Sequence, residues 1–251
     1  VKIRPYVSGD LEGVERLFIE REVLLDRELF LWKKKAPSIF SWVGEKNEAI
    51  VAHYSIIEMP LIQDIRTGFA VDAIFTKHAS QIPDIAMMLS HALQEVQLAG
   101  LDLIVGIPNQ RMSPVKRMLG WTPMPVYYWN ISKGRERISK PFVCCETAFS
   151  DYERWRYKEC PRQYTQQRDC GIVLSGEREY AGTPYLMRYD CSNWNDIEQT
   201  YAFSYLHTNL SGNLPVVQPL YMLLTEKREQ ASLIWPDIWP LETLEGVTLG
   251  W

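Results

Sequence analysis

Residues 71–92, V-D-A-I-F-T-K-H-A-S-Q-I-P-D-I-A-M-M-L-S-H-A, concentrate side chains and backbone that could do chemistry. Val71, Ala73 and Phe75 alternate with Asp72, Ile74 and Thr76 as in a strand, and Ile85, Met88, Leu89 and Ala92 then share one face of a helix. Pro83 suits the first turn of that helix, and Asp84 suits its positive end. A strand, a short loop and a helix start make an anion cradle. Free backbone N–H groups and the helix dipole point at whatever fills the loop. Asp72 lies one alternation from Ile74, so its carboxylate can share a cleft with that strand. His53 and Glu58, on a neighbouring strand pattern, are the other candidates for moving a proton. Deprotonating an amine takes a base whose pKa is near working pH, which suits a histidine or a desolvated carboxylate.

The loop and helix start Gln81-Ile82-Pro83-Asp84-Ile85-Ala86 resemble the Gln/Arg-x-x-Gly-x-Gly/Ala signature of the GNAT (GCN5-related) N-acyltransferases. Gln81 and Ala86 match, and Asp84 replaces a glycine. Further on, Gly106-Ile107-Pro108-Asn109, continuing to Met118-Leu119-Gly120-Trp121, is similar to the GNAT segment in which an asparagine opens a helix that ends in Leu-Gly-Phe. The resemblance spans residues 1–131 and implies acyl-CoA as the donor substrate; the residues themselves offer no metal-ligand spacing, so no metal is expected. It implies that Gln81, Ile82, Pro83, Asp84, Ile85 and Ala86 hold the pyrophosphate and that Asn109 meets the pantetheine arm. A backbone N–H around Ile74, Phe75 or Thr76 would face the developing oxyanion. Many relatives carry a tyrosine at the helix position occupied here by Lys116, to protonate the leaving thiolate. That role is therefore vacant, passed to water, or taken by Tyr127 or Tyr128. Lys116 would pair with a coenzyme phosphate or stay solvated. A carboxylate at about 4 Å from a phosphate costs about 4 kcal/mol at an effective dielectric of about 20. Binding therefore requires Asp84 to turn outward, or the phosphates to sit toward Ser80 and Gln81.

The elements that would position these groups follow from the patterning. A strand over 2–7 precedes a helix that Asp10 can cap, with Val14, Leu17 and Phe18 on one face. A second helix over 23–35 carries Leu25, Leu29 and Trp32 and stops before Pro37. Strands over 39–44 and 49–59 flank the turn at residues 45–48, and a strand over 66–76 leads into the cradle. The central helix ends at Gly100, an apolar strand follows over 101–107, and a helix over 109–119 is closed by Gly120. A strand over 121–131 completes the order β-α-α-β-β-β-α-β-α-β. The fold class expected is α/β, a mixed and mostly antiparallel sheet flanked by helices, in two GNAT-like modules.

Those modules are expected at 1–132, binding acyl-CoA, and 141–251, binding the acceptor. The second half echoes the first, with a Trp followed by basic residues and a proline, strands at 170–175 and 185–189, a helix over 193–207 and a strand over 216–224. Trp155, Arg156 and Tyr157 combine a guanidinium with two aromatic planes, which suits a diphosphate and a stacked ring. With Pro161 and Tyr164, this segment resembles acyltransferases of bacterial surface-polysaccharide assembly. That likeness implies an acceptor amine on a nucleotide-linked amino-deoxysugar.

The 251 residues are 46% hydrophobic and 23% charged, with a formal charge of −4, as in a folded globular protein with no electrostatic reason to bind nucleic acid. Lys33-Lys34-Lys35 reads as solvated surface. No apolar run is long enough to span a membrane, and no signal-peptide core is present. Five cysteines without metal-ligand spacing read as reduced thiols in a cytoplasm. The catalytic set is accordingly Asp72, His53 and Tyr127. Two alternatives are a degenerate GNAT fold kept as a scaffold, with Asp84 and Lys116 as its lesions, and a Fem-type aminoacyltransferase. The partners expected are small molecules only.

Overall fold

In the computed structural model, strand β1 (Lys2–Pro5) lies antiparallel to β2 (Ile39–Lys46), and β2 turns into β3 (Ala49–Ile62) through Asn47 and Glu48. Those two residues have φ of 52° and 63°, as a two-residue type I′ hairpin turn requires. The structure describes residues 1–62, 65–77, 82–106, 108, 112–123, 130–131, 151–155, 159–161, 165–166, 173–180, 183–190, 212–213 and 220–225. Strand β4 (Ile65–Phe75) is antiparallel to β3, and β5 (Leu103–Gly106) is parallel to β4, the crossover between them running through helix α3 (Ile82–Leu98). Helix α4 (Met112–Met118) and strand β6 (Thr122–Pro123) follow.

Strand alternation sends residues to opposite faces of this sheet. On one face Trp42, Tyr54 and Ile56 pack against Ile85, Met88, Leu89, Ala92 and Val96 of α3. On the other face Val43 and Ile74 pack against Val14, Leu17 and Phe18 of α1 (Leu11–Glu20) and Phe30 of α2 (Arg27–Lys33). Helix α3 ends at Gly100 with φ of 86°, the left-handed C-cap expected of it.

Capping departs from expectation at α1. The Asp10 side chain bonds no N–H of α1. It accepts two hydrogen bonds from Arg4, at 2.7 and 2.8 Å, and one from the Val7 N–H at 2.9 Å. A guanidinium outcompetes a helix amide because both partners are charged. Asp26 is the residue that caps, accepting the Leu29 N–H of α2 at 3.0 Å.

The chain divides into two compact units, residues 1–126 with 217–251, and residues 127–216. Within the second, β7 (Asn130–Ile131) is followed by α5 (Asp151–Glu153), β8 (Thr165–Gln166), β9 (Val173–Tyr180), β10 (Thr183–Asp190) and β11 (Gly212–Asn213). Strands β8, β9 and β10 form an antiparallel sheet, and β11 pairs with β7. Strand β12 (Leu220–Leu223) then returns to the first unit, between β5 and β6 and antiparallel to both. The seven-stranded order is β1-β2-β3-β4-β5-β12-β6. The mixed, mostly antiparallel sheet flanked by helices is the one expected, but the division of the chain differs. The strand expected to belong to a C-terminal module over 141–251 instead completes the first sheet, and the second unit interrupts the first. Strand patterning sets the face a residue takes, not the sheet a strand joins. The helix expected over 193–207 lies outside the described residues.

Candidate active site

Strand β4 pairs with β5 only from Thr67↔Leu103 to Ala70↔Gly106, yet it runs on to Phe75. Beyond Ala70 its edge facing away from β3 has no strand partner among the described residues. Opposite β3, Ser55 pairs with Val71 and His53 with Ile74, so Asp72 and Ala73 together face Tyr54. This is a β-bulge, and Asp72 within it has φ of 51°, a left-handed conformation that aspartate tolerates better than most residues. Arg21, just past α1, donates from Nε to the Phe75 carbonyl at 2.5 Å and from Nη2 to the Thr76 carbonyl at 2.8 Å. The strand end is thereby tied to α1. The Thr76 N–H donates to the Val51 carbonyl at 2.9 Å and is committed there. Ile74, two residues earlier and in register with His53, faces β3 in the same way, which leaves Phe75 as the backbone donor on the outer edge.

The bulge turns Asp72 toward α2, where it meets two lysines. Lys33 Nζ donates to Asp72 Oδ1, and both side chains are nearly sealed, 5% and 4% exposed. Asp72 Oδ2 is buried with no hydrogen-bond partner among the described residues. Lys34 Nζ reaches Ser55 Oγ at 2.6 Å, His53 Nε2 at 2.9 Å and Ser41 Oγ at 3.0 Å, and lies over the rings of Phe30 and Tyr6 at 4.5 and 5.1 Å. His53 Nδ1 donates to the Asp72 carbonyl oxygen at 2.8 Å, which leaves Nε2 as the acceptor for Lys34.

Electrostatics assign these groups different states. Burial pushes the Lys34 ammonium down to about 7; the Asp72 carboxylate opposes that shift and Lys33 adds to it. Burial, helped by Lys34, pushes His53 down to about 3, so its ring is neutral at ordinary pH. Burial works to raise the Asp72 pKa, but the charges of Lys33 and Lys34 hold it below its ordinary 3.8. Glu58 is held below its usual range by Arg66, which donates to it at 2.7 and 2.8 Å, while Ser38 donates at 2.8 Å. None of the three side chains expected as bases therefore has a pKa near neutrality. One group that does is Lys34, from a run expected to be solvated surface. Lys33 falls one turn after Leu29 on the buried face of α2, a spacing that marks it in retrospect.

A third buried lysine occupies the other face. Lys116, in α4, is 3% exposed, and its ammonium sits 3.9 Å from the Trp121 ring centre and 5.9 Å from that of Tyr54. Burial pushes it down to about 7. Gly106, where β4 and β5 part, makes room for it. A Cβ there would lie 2.5 Å from Lys116 Nζ and 3.2 Å from the Ala70 Cβ. Tyr54 Oη and Trp121 Nε1 are buried nearby without hydrogen-bond partners among the described residues. Lys116 is thus neither a solvated lysine nor a surface phosphate contact.

No protein-family model matches the chain, and no curated protein sequence matches it. Solved structures do. Ribosomal-protein-alanine N-acetyltransferase from Brucella melitensis superposes with a TM-score of 0.43 at 14% identity, covering 51% of this chain and 88% of that one. FeeM, an N-acyl amino acid synthase from uncultured soil microbes, gives a TM-score of 0.42 at 15% identity, over 49% of this chain and 80% of that one. An aminoglycoside 6′-N-acetyltransferase complexed with coenzyme A gives 0.43 at 9% identity, over 51% and 88%.

The expected cradle is described from Ile82, where α3 begins. Pro83 is exposed, Asp84 and Ala86 are half-buried, and Ile85 is buried in the core under α3. The Asp84 carboxylate takes no hydrogen bond from another described residue. Ile85 contributes packing, and what it offers a ligand is backbone. Gln81, Asn109, Tyr127, Arg156 and Tyr157 lie outside the described residues. Trp155 is 3% exposed, with its ring 5.7 Å from that of Tyr152, which makes it a packed side chain within the second unit. Among the described residues no group of His, Cys, Asp or Glu could hold a metal, and no helix is long and apolar enough to cross a membrane.

Proposed function

We propose that this chain is a coenzyme A-dependent N-acyltransferase, acting by direct transfer from the thioester to an amine. The observation that carries this reading is the edge of β4 from Val71 to Phe75, which has no strand partner among the described residues and precedes α3 in the chain. An amide-rich pantetheine arm pairs with such an edge as an added strand, and the coenzyme phosphates then meet the helix N–H groups. The amine nitrogen attacks the thioester carbon, the carbonyl oxygen gathers charge against the Phe75 N–H, the C–S bond breaks, and the extra proton on the nitrogen passes to water. In this reading Lys116, at the point where β4 and β5 part, gives the thiolate its proton, and its pKa of about 7 supports that role.

The finer acceptor class is the amine of a nucleotide-linked amino-deoxysugar, used in surface-polysaccharide assembly in a cytoplasm. Its support is the resemblance of residues 155–164 to enzymes of that kind, with Arg156 and Tyr157 as the diphosphate and ring contacts.

Calorimetric titration with coenzyme A, paired with thermal unfolding, tests the reading. Saturable heat and a raised Tm are expected, since ligand at about 100 times its Kd adds about 2.7 kcal/mol of stability. Silence in both makes the fold a scaffold. Thiol release from acetyl-CoA in the presence of nucleotide amino sugars, amino acids and polyamines then identifies the acceptor.

A further inference from the structure

Asp72 Oδ2 is the one charged acceptor atom among the described residues that is buried with no partner. A buried anionic oxygen left unpaired is costly, and natural structures keep such atoms where something else completes them. Here the strained bulge holds it, with φ of 51°. Its surroundings hold more cation than anion. Lys33 is paired to Oδ1, Lys34 sits behind His53, and the His53 ring is neutral.

The geometry points to Asp72 Oδ2 as the acceptor for one N–H of the amine substrate, bound in its uncharged form, with Lys33 and Lys34 excluding the ammonium form. This inference rests on the N-acyltransferase reading and names its substrate class: amines of modest basicity. An uncharged amine donates one N–H to Oδ2 and keeps its lone pair for the thioester carbon. An ammonium has no lone pair and would bring a further positive charge beside Lys33, and beside Lys34 in its protonated form. Discharge of the nucleophile is thus performed by the local field, and no side chain need serve as a strong base. That fits the unsuitability of His53, Asp72 and Glu58 for that task. The proton leaves to solvent when the amine binds. Amines with pKa of about 8, such as an α-amine, are favoured over those of about 10.4, such as a lysine side chain.

Calorimetry with alaninamide and with n-butylamine at pH 7, repeated in buffers of different ionisation enthalpy, counts the protons released. Alaninamide is expected to bind with release of close to one proton, and n-butylamine about tenfold or more weakly. The Lys33→Met/Asp72→Gly variant removes both charges together, and glycine accepts the left-handed φ without strain. It is expected to remain folded and to lose alaninamide affinity about tenfold. Binding without proton release, equal binding of the two amines, full affinity in the double variant, or no alaninamide binding would each overturn the inference. Coenzyme A is titrated separately. If alaninamide binds as expected but coenzyme A does not, it is the acyl-transfer reading that fails.

Discussion

His53 donates its Nδ1 proton to the backbone carbonyl of Asp72, a residue whose own side chain is claimed by Lys33. The histidine is therefore a strut. It fixes the bulge on β4 from below and presents Nε2 to Lys34, and its pKa of about 3 keeps it from titrating where it could act as a base.

Stability should climb with pH. Unfolded His53 takes a proton below 6.5, whereas the folded ring resists one down to about 3. Unfolded Lys34 and Lys116 stay charged up to about 10.5, whereas their folded forms lose the proton near 7. In all three cases the unfolded chain binds more protons, so unfolding free energy rises with pH across each interval. Urea midpoints measured from pH 4 to 9 check this. A midpoint that falls between pH 7 and 9, after Lys34→Met and Lys116→Met are compared with the parent, contradicts the burial of these ammonium groups.

Lys116→Met replaces a buried ammonium with an apolar chain of similar length, and should raise stability at pH 7 and flatten its alkaline slope. Coenzyme A affinity should hold while turnover falls about a hundredfold, as expected for loss of a general acid. Unchanged turnover would release Lys116 from the mechanism.

Asp72→Asn leaves Lys33 charged and sealed without a counter-ion, and should cost about 3–5 kcal/mol. Lys33→Met in the same chain should recover most of that loss. Denaturant unfolding of the two single variants and the double variant measures the coupling; additive losses would mean that the pair is not formed.

Gly106→Ala drives a methyl into the place of the Lys116 ammonium and should destabilise by about 1–3 kcal/mol. In a Lys116→Ala background the cost should shrink, because the nearest obstruction, at 2.5 Å, is gone and the Ala70 contact at 3.2 Å is milder. An undiminished cost would place the clash with the backbone instead.

Local pattern carried the first unit well. The hairpin at Asn47 and Glu48, the α3 face through Met88 and Leu89, and the stop at Gly100 are set by residues close in sequence, and they were legible for that reason. Strand adjacency makes Asp72 and His53 neighbours, and they do meet. Their roles were not legible, because a pKa depends on what covers a group and on which charges face it. Lys33-Lys34-Lys35 misled because three lysines in a row normally mean solvent. Only the packing of Leu29 and Phe30 shows that the helix rolls Lys33 inward. Asp10 and Asp26 look alike as caps until Arg4 is seen to take the first. The ownership of β12 was hidden because nothing within Leu220–Leu223 says which edge it will join.

That last strand has a consequence for how the protein is made. The residues of β5 are all buried, and Tyr221 of β12 pairs both with Val105 of β5 and with Thr122 of β6. A ribosome must therefore deliver the whole intervening unit before this apolar border is covered. Until then the nascent sheet presents a sticky margin to other chains, and a proteolytic nick that sheds the C-terminal segment would reopen it.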